Sequence, residues 1–509
     1  MELKKTELSL CDTITKGTTQ AMSDGEVIVP DIKPDILKIL QVDAEASVTD
    51  RYIENGRLYI SGRVDYKVLY IPDSDGEKIK SILTSMDFRQ TVDAGGAVTG
   101  DNIIASAEVE RVEFSATNSR KLRLRSVISI DYEICRVSGT ELCTGADEDM
   151  ECKYDSIDIE CTTHLSSHEF TVKERIELPA GQSSISEILK ADVTVTEPEY
   201  KTVTGKIIIK ANADISVLYT DESGAVRFTE AELPFTEVLD AEGVGDMTVC
   251  DIDFAVLGVM CEAEEDSDGD LRIAAVDIDI CADVRSTENV ECKIMRDCFS
   301  PYNKTDIERE DINITRTVCR PSIQNSVREI IDVPDNVPGV AGVYNVIADA
   351  AVTKSELQGK RLLCEGRIDV YALYLTDSAE NPIYSIRKEI PFSYVTECDG
   401  ASGNEEIELN ASVGHIGYSL NSSGDIELRC LVSVDGRLIK HDTISNIVSV
   451  ETEDMPIRSG IFIYFVKDGD TLWDISKRYA VPRGRIARYN NIAEDVLERG
   501  AKLFIPAQM

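Results

Sequence analysis

The stretch RLYISGRVDYKVLY, from Arg57 to Tyr70, alternates without a break. Leu58, Ile60, Gly62, Val64, Tyr66, Val68 and Tyr70 fall on one side, and Ser61, Arg63, Asp65 and Lys67 fall on the other. Period two over this length admits a long strand with one buried face and little else. The pattern returns as KIIIKANADISVLY ending at Tyr219 and as RLLCEGRIDVYALY ending at Tyr374. The closing tyrosines are 219 − 70 = 149 and 374 − 219 = 155 positions apart, and Pro30, Pro179 and Pro334 upstream repeat both steps. Phe88, Phe235 and Phe392 downstream keep the register within a residue or two. Each repeat spans about 150 residues, a domain rather than a solenoid unit.

The fold class expected is mainly β: three tandem antiparallel, sandwich-like domains over residues 1–150, 151–300 and 301–450. The turns PDSDGEK, TDESGAV and TDSAENP after each long strand are hairpin chemistry. The segment PDILKIL after the upstream prolines is expected to add a short helix, and DCFSPYNKTDIERE to act as a linker into the third unit.

The 509 residues carry a formal charge of −40, which disfavours nucleic acid and anionic membrane surfaces as partners. No apolar run long enough for a signal peptide or membrane span is seen, so a cytosolic protein is expected. The 14 cysteines contain no CxxC pair and read as small buried hydrophobes. His164 and His168 have HxxxH spacing but lack further ligands, so no metal is expected. EDSDGD (Glu265–Asp270) resembles a calcium loop, yet with Glu264, Asp266, Asp268 and Gly269 in role, the closing acid falls on Ala275. A polar hairpin tip explains it better. Asp65, Asp214 and Asp369 share one position of the long strand with no partner base, and solvent-facing or turn-bonding roles are expected. No nucleophile, zinc-protease, phosphate-loop or dinucleotide motif is present. Neither an enzyme nor a cofactor is indicated.

The last fifty residues differ from the rest. From Gly460 onward eight Lys and Arg oppose six Asp and Glu, a net of +2, leaving −42 on the preceding chain. Lys477, Arg478, Arg483, Arg485 and Arg488 form a candidate basic docking face, for an acidic partner or for the chain's own acidic body. The tail YFVKDGDTLWDISKRYAVPRGRIARYNNIAEDVLERGAKLFIP resembles a LysM domain along nearly its whole length, residues 460–509, which implies a β-α-α-β fold. Short strands at IFIYFV and KLFIP, a helix capped by Asp470 or Thr471, and a second helix opening at Pro482 agree with it. The resemblance implies a groove for N-acetylglucosamine-containing glycans at Gly469, Asp470, Thr471 and Leu472 with Asn491, Ile492 and Ala493. Trp473, the single tryptophan, is expected to anchor the small core.

The repeats, VP…P…I…V…A followed by GR[VI]D[VY]xxLY, together with the terminal LysM, resemble the SPOCS-domain family of the SipL type, to which SpoVID is a functional counterpart. The second unit departs from the pattern with NAD in place of GRVD and GRID. The resemblance implies a non-enzymatic spore coat scaffold in the mother-cell cytoplasm at the forespore surface. Its LysM domain would bind the coat basement-layer ATPase (SpoIVA), and its β domains would contact other coat proteins. The alternative is an envelope protein that binds peptidoglycan or its precursor.

Overall fold

The computed structural model describes residues 2–74, 79–147, 149–334, 336–376, 378, 381, 383–455, 460–492 and 497–506, the side chain of Glu197 excepted. The first unit contains β1 (Leu3–Ile28), β2 (Ile36–Glu54), β3 (Arg57–Pro72), β4 (Lys80–Asp93), β5 (Asn102–Asn118) and β6 (Lys121–Ala146). Strand β3 is the alternating stretch. It is the middle of an antiparallel sheet ordered β2-β3-β4, and β1-β6-β5 forms a second sheet. The two share one core, with Ile60, Val64, Tyr66, Val68 and Phe88 on one side and Leu122, Leu124, Ile128 and Ile130 on the other.

The second unit repeats this with β7 (Glu151–Glu177), β8 (Ile185–Val203), β9 (Lys206–Asp221), β10 (Val226–Asp240), β11 (Val249–Glu265) and β12 (Leu271–Phe299), in sheets β10-β9-β8 and β11-β12-β7. The third has β13 (Asn303–Cys319), β14 (Ser322–Ile331), β15 (Val340–Gln358), β16 (Arg361–Thr376), β17 (Ile383–Glu397), β18 (Glu406–Leu420) and β19 (Ile426–Asp454). Strands β13 and β14 pair end to end along β19. Their break includes Pro321, which has no N–H for the ladder. The first two units show only a register shift at the corresponding place, at Thr13/Thr15 and Ser286/Thr287.

Two expectations are corrected. PDILKIL is not helical: Ile36 opens β2, because its apolar residues are needed on a sheet that pairs with β3 along its length. The expected linker is strand, turn and strand. Asp297–Phe299 close β12 and Asn303 opens β13, with the Ser300 hydroxyl accepting from the Tyr302 and Asn303 amides at 3.1 and 3.2 Å. The EDSDGD segment is the β11–β12 hairpin tip, where the Asp266 carboxylate accepts from the Asp268 and Asp270 amides. All fourteen cysteines are free thiols and none is exposed.

The second unit's departure has a steric basis. At Gly62 an added Cβ would lie 2.2 Å from the Phe88 ring and 2.3 Å from the Ser47 carbonyl oxygen; at Gly366 it would meet Phe392 and the Ala351 carbonyl just as closely. The equivalent residue is Ala211, and there Phe235 is taken up by Phe170 and Phe254 at centroid distances of 5.7 and 6.0 Å. Gly62→Ala is therefore expected to cost about 1–3 kcal/mol by overpacking. Ala211→Gly is expected to cost only about 0.5–1 kcal/mol through backbone entropy. Denaturant unfolding compares the two, and equal costs would refute the steric reading.

Beyond its sandwich each unit extends a two-stranded ribbon. β5 leaves β6 at Cys135 while β1 pairs on to Ala146, and the pairs β7/β12 and β13/β19 do the same. The three ribbons form a stem around a shared cluster of Leu10 and Leu142, Ile159 and Cys292, and Ile314 and Ile444. A second shared cluster brings Leu69, Leu218 and Leu373 together with Leu189, Tyr344 and the half-buried Leu40. These are equivalent residues at the 149 and 155 spacings (218 − 69, 373 − 218; 189 − 40, 344 − 189), so the units stand around a pseudo-threefold axis. Within this part of the axis lies a buried charge network. Lys190 pairs with Asp43 at 2.9 Å and Asp192 at 2.8 Å, and Lys67 pairs with Asp192 at 2.9 Å and Glu45 at 2.8 Å.

Candidate functional site

After the body come β20 (Ile461–Phe465), α1 (Leu472–Tyr479), α2 (Arg483–Asn490) and β21 (Lys502–Pro506), with β20 and β21 antiparallel. Thr471 caps α1: its side chain accepts from the Asp474 amide, and the Asp474 carboxylate accepts from the Thr471 amide in return. Ala480 and Asn491 end the two helices in the left-handed conformation. The core is Tyr464, Val466, Leu472, Ile475, Val481, Ile486, Leu503 and Ile505.

Trp473 is outside that core. It is only 6% exposed, but what buries it is the end of β12. Its ring meets Phe299 edge-on at 5.3 Å, and its indole N–H donates to Asp297 at 2.9 Å. Lys477, one turn further along α1, donates to the same carboxylate at 2.6 and 2.9 Å, and Arg309 of β13 reaches it at 3.1 Å. Burial pushes the Asp297 carboxyl up, but the Lys477 and Trp473 hydrogen bonds with the Lys477 and Arg309 charges outweigh it and hold the group below its ordinary value. The expectation for Trp473 is thus corrected: it anchors the small domain to the stem rather than filling its core. The i, i+4 spacing of Trp473 and Lys477 puts both on one helix face.

The structure divides the five basic residues. Lys477 is committed to Asp297. Arg478 donates to the Tyr464 hydroxyl at 2.9 Å, and Arg488 to the Gly484 carbonyl at 3.2 Å. Arg483 and Arg488 are exposed on α2, with Arg485 half-buried. Of the groove residues, Gly469 (φ +81°), Thr471 and Asn491 are exposed, Ile492 packs on the core, and Leu472 is inside it at 1% exposure. The Asp470 carboxylate is occupied by the Tyr464 hydroxyl at 2.6 Å and the Lys467 amide at 2.8 Å, which lower its pKa. Ala493 lies outside the described residues.

Asp297 and Phe299 escaped the sequence reading because RDCFSPYNK looked like a linker; the alternation of Val290, Cys292 and Ile294 leading into it was the available signal. The outer face of the LysM-like sheet was missed as well. Ile461, Ile463 and Phe465 alternate outward on β20 at 57%, 52% and 62% exposure, with Phe504 of β21 opposite Ile463. Among the described residues no cluster of His, Cys, Asp or Glu could hold a metal ion, and no helix is long and apolar enough to cross a membrane. His164 instead shares a hydrogen bond with Ser166.

Comparison with family models matches the SipL, SPOCS domain three times, at residues 35–117, 184–264 and 340–421, and the LysM domain at 464–506. The chain carries three SipL-type SPOCS repeats followed by a LysM domain. Each SPOCS match spans four strands, β2–β5, β8–β11 and β15–β18, and omits the long strands that build the stem. Searches of curated proteins and of solved structures return no match. The SPOCS repeats mark a sporulation coat-associated protein, and LysM is a peptidoglycan-type binding domain; both are binding and scaffold domains rather than catalytic ones.

Proposed function

We propose that this SPOCS–LysM chain is a non-enzymatic scaffold of the mother-cell cytoplasm, acting at the forespore surface, with the LysM domain holding the coat basement-layer ATPase (SpoIVA). The three units, taken as domains over 1–150, 151–300 and 301–450, form the platform and contact other coat proteins. The observation that carries this reading is the division of labour within the LysM domain. Its α1 face is used by the stem, while four large apolar side chains of its sheet, Ile461, Ile463, Phe465 and Phe504, face outward. Contiguous exposed apolar side chains, with the Lys502 ammonium over the Phe504 ring, suit a protein partner better than a polar glycan.

Ile463→Asp puts a charge in the middle of that face without touching the core. It should abolish co-purification of the ATPase with the full chain from sporulating cells. A folded variant that retains the ATPase would overturn the assignment of this face. The exposed Gly469, Thr471 and Asn491 support the second reading, a peptidoglycan or N-acetylglucosamine ligand. Sedimentation of the full chain with purified peptidoglycan, unaffected by Ile463→Asp and lost with Asn491→Ala, would favour it.

A further inference from the structure

The pseudo-threefold stem has one incomplete seam. Strand β7 packs on β1 at one seam and on β13 at the next. Where symmetry would bring β13 onto β1, a cleft of about 640 Å³, a volume in the range of ligand-holding clefts, lies between these two strands while β19 still packs on β6. Consecutive residues line it, 139–141 of β6 and 310–313 of β13, as strands presented edge-on do; a sheet face would offer alternate residues. Both edges are open here. β6 has lost β5 beyond Cys135, and among the described residues β13 pairs only with β19. At the end of the cleft, from Glu141 to Cys143, the β6 edge is already served by a surrogate: the Asn446 side chain donates to the Glu141 carbonyl and accepts from the Cys143 amide, both at 2.9 Å. One amide group thus does there what a neighbouring strand would do.

We infer that this cleft is a strand-addition site for an extended segment of a partner protein with alternating basic and apolar residues. Main-chain hydrogen bonds to the β6 and β13 edges supply affinity, as in other strand-addition complexes. The walls set the chemistry. Asp12, Glu310 and Asp311 line the cleft, and Lys5, also in its lining, is paired with Glu141 at 2.8 Å. Leu10, Ile312 and Val448 provide apolar contacts between the charges. An acidic segment is repelled, and an all-polar one leaves the apolar contacts unmet.

The test uses the full chain and a fluorescein-labelled octapeptide of alternating lysine and valine, with its glutamate–valine counterpart as control. Anisotropy should show saturable binding of the first alone, weakening as salt is raised. Hydrogen exchange should slow at 136–143 and 308–314. The double variant Glu310→Lys/Asp311→Lys, and independently Asp12→Lys on another strand, should each lower affinity about tenfold or more. Because the two changes lie on different strands, a folding failure of one leaves the other informative. No binding, equal binding of the glutamate peptide, protection confined to other strands, or unchanged affinity in the folded variants would each overturn the proposal.

Discussion

Asp297→Ala should release the LysM domain from the stem and shift the fluorescence of the chain's one tryptophan to the red. The single carboxylate receives the Trp473 indole, the Lys477 ammonium and the Arg309 guanidinium, so its removal leaves three donors without their acceptor. Truncating one partner of such a cluster costs about 2–5 kcal/mol. The lower end applies because Lys477 is 40% exposed and screened by water. About 2 kcal/mol is roughly a thirtyfold shift toward the undocked state. Neither part should unfold, since Trp473 is absent from the LysM core and Asp297 from the β cores. Acid should act in the same direction. The carboxyl is held below its ordinary value while docked, so the contribution is complete above the ordinary Asp range of about 3.9 and is lost as pH falls through the depressed value. Unchanged tryptophan emission in a folded Asp297→Ala protein would show that the contact does not hold the domain.

The same contact shows what the sequence could and could not convey. The repeat was legible because the burial of one strand face imposes period two, and β3, β9 and β16 run as the alternation required. The hairpin tip at Asp266 was legible from turn chemistry, and a helix cap at Asp470 or Thr471 from residue type, of which Thr471 is the one used. PDILKIL misled because a short apolar run has no decisive period; only its partner β3 makes it a strand. Trp473 was legible as buried but not as to what buries it, since Phe299 lies far off in sequence on another domain. The outward Ile461, Ile463 and Phe465 were hidden for a related reason, since a five-residue strand with apolar side chains on both faces does not reveal which is covered. The cleft was beyond reach, because it exists only through the way three ribbons meet around an axis.

The body should depend as strongly on Lys190, which lies on β8 within the second SPOCS match. Its side chain is 3% exposed, between Asp43 and Asp192, and Lys67 takes the other oxygen of Asp192. Lys190→Ala leaves Asp43 without its cation and Asp192 with half its compensation. Breaking a buried pair from one side costs about 3–5 kcal/mol. Burial raises the Asp192 pKa, but Lys190 and then Lys67 outweigh it and depress the value, so its contribution is present above about 3.9 and lost as pH falls through the depressed value. Burial opposes the charge on Lys190, yet Asp192 and Asp43 raise its pKa, so its contribution is complete below about 10.4 and lost as pH rises through the raised value. The contribution of the Lys190–Asp192 pair is therefore expected to be flat through neutrality, and the cost of Lys190→Ala should show fully there in denaturant unfolding. The 149 and 155 steps place Gln41, Lys190 and Asn345 in one equivalent position. The units are thus alike in their apolar axis residues and unlike in charge, which distinguishes one unit from its neighbours around a nearly symmetric ring. Lys190→Gln, which installs the first unit's residue in the second, should consequently cost nearly as much as Lys190→Ala. A Lys190→Gln protein within about 1 kcal/mol of the parent, the scale of an ordinary hydrogen bond, would mean that apolar packing alone orders the three units.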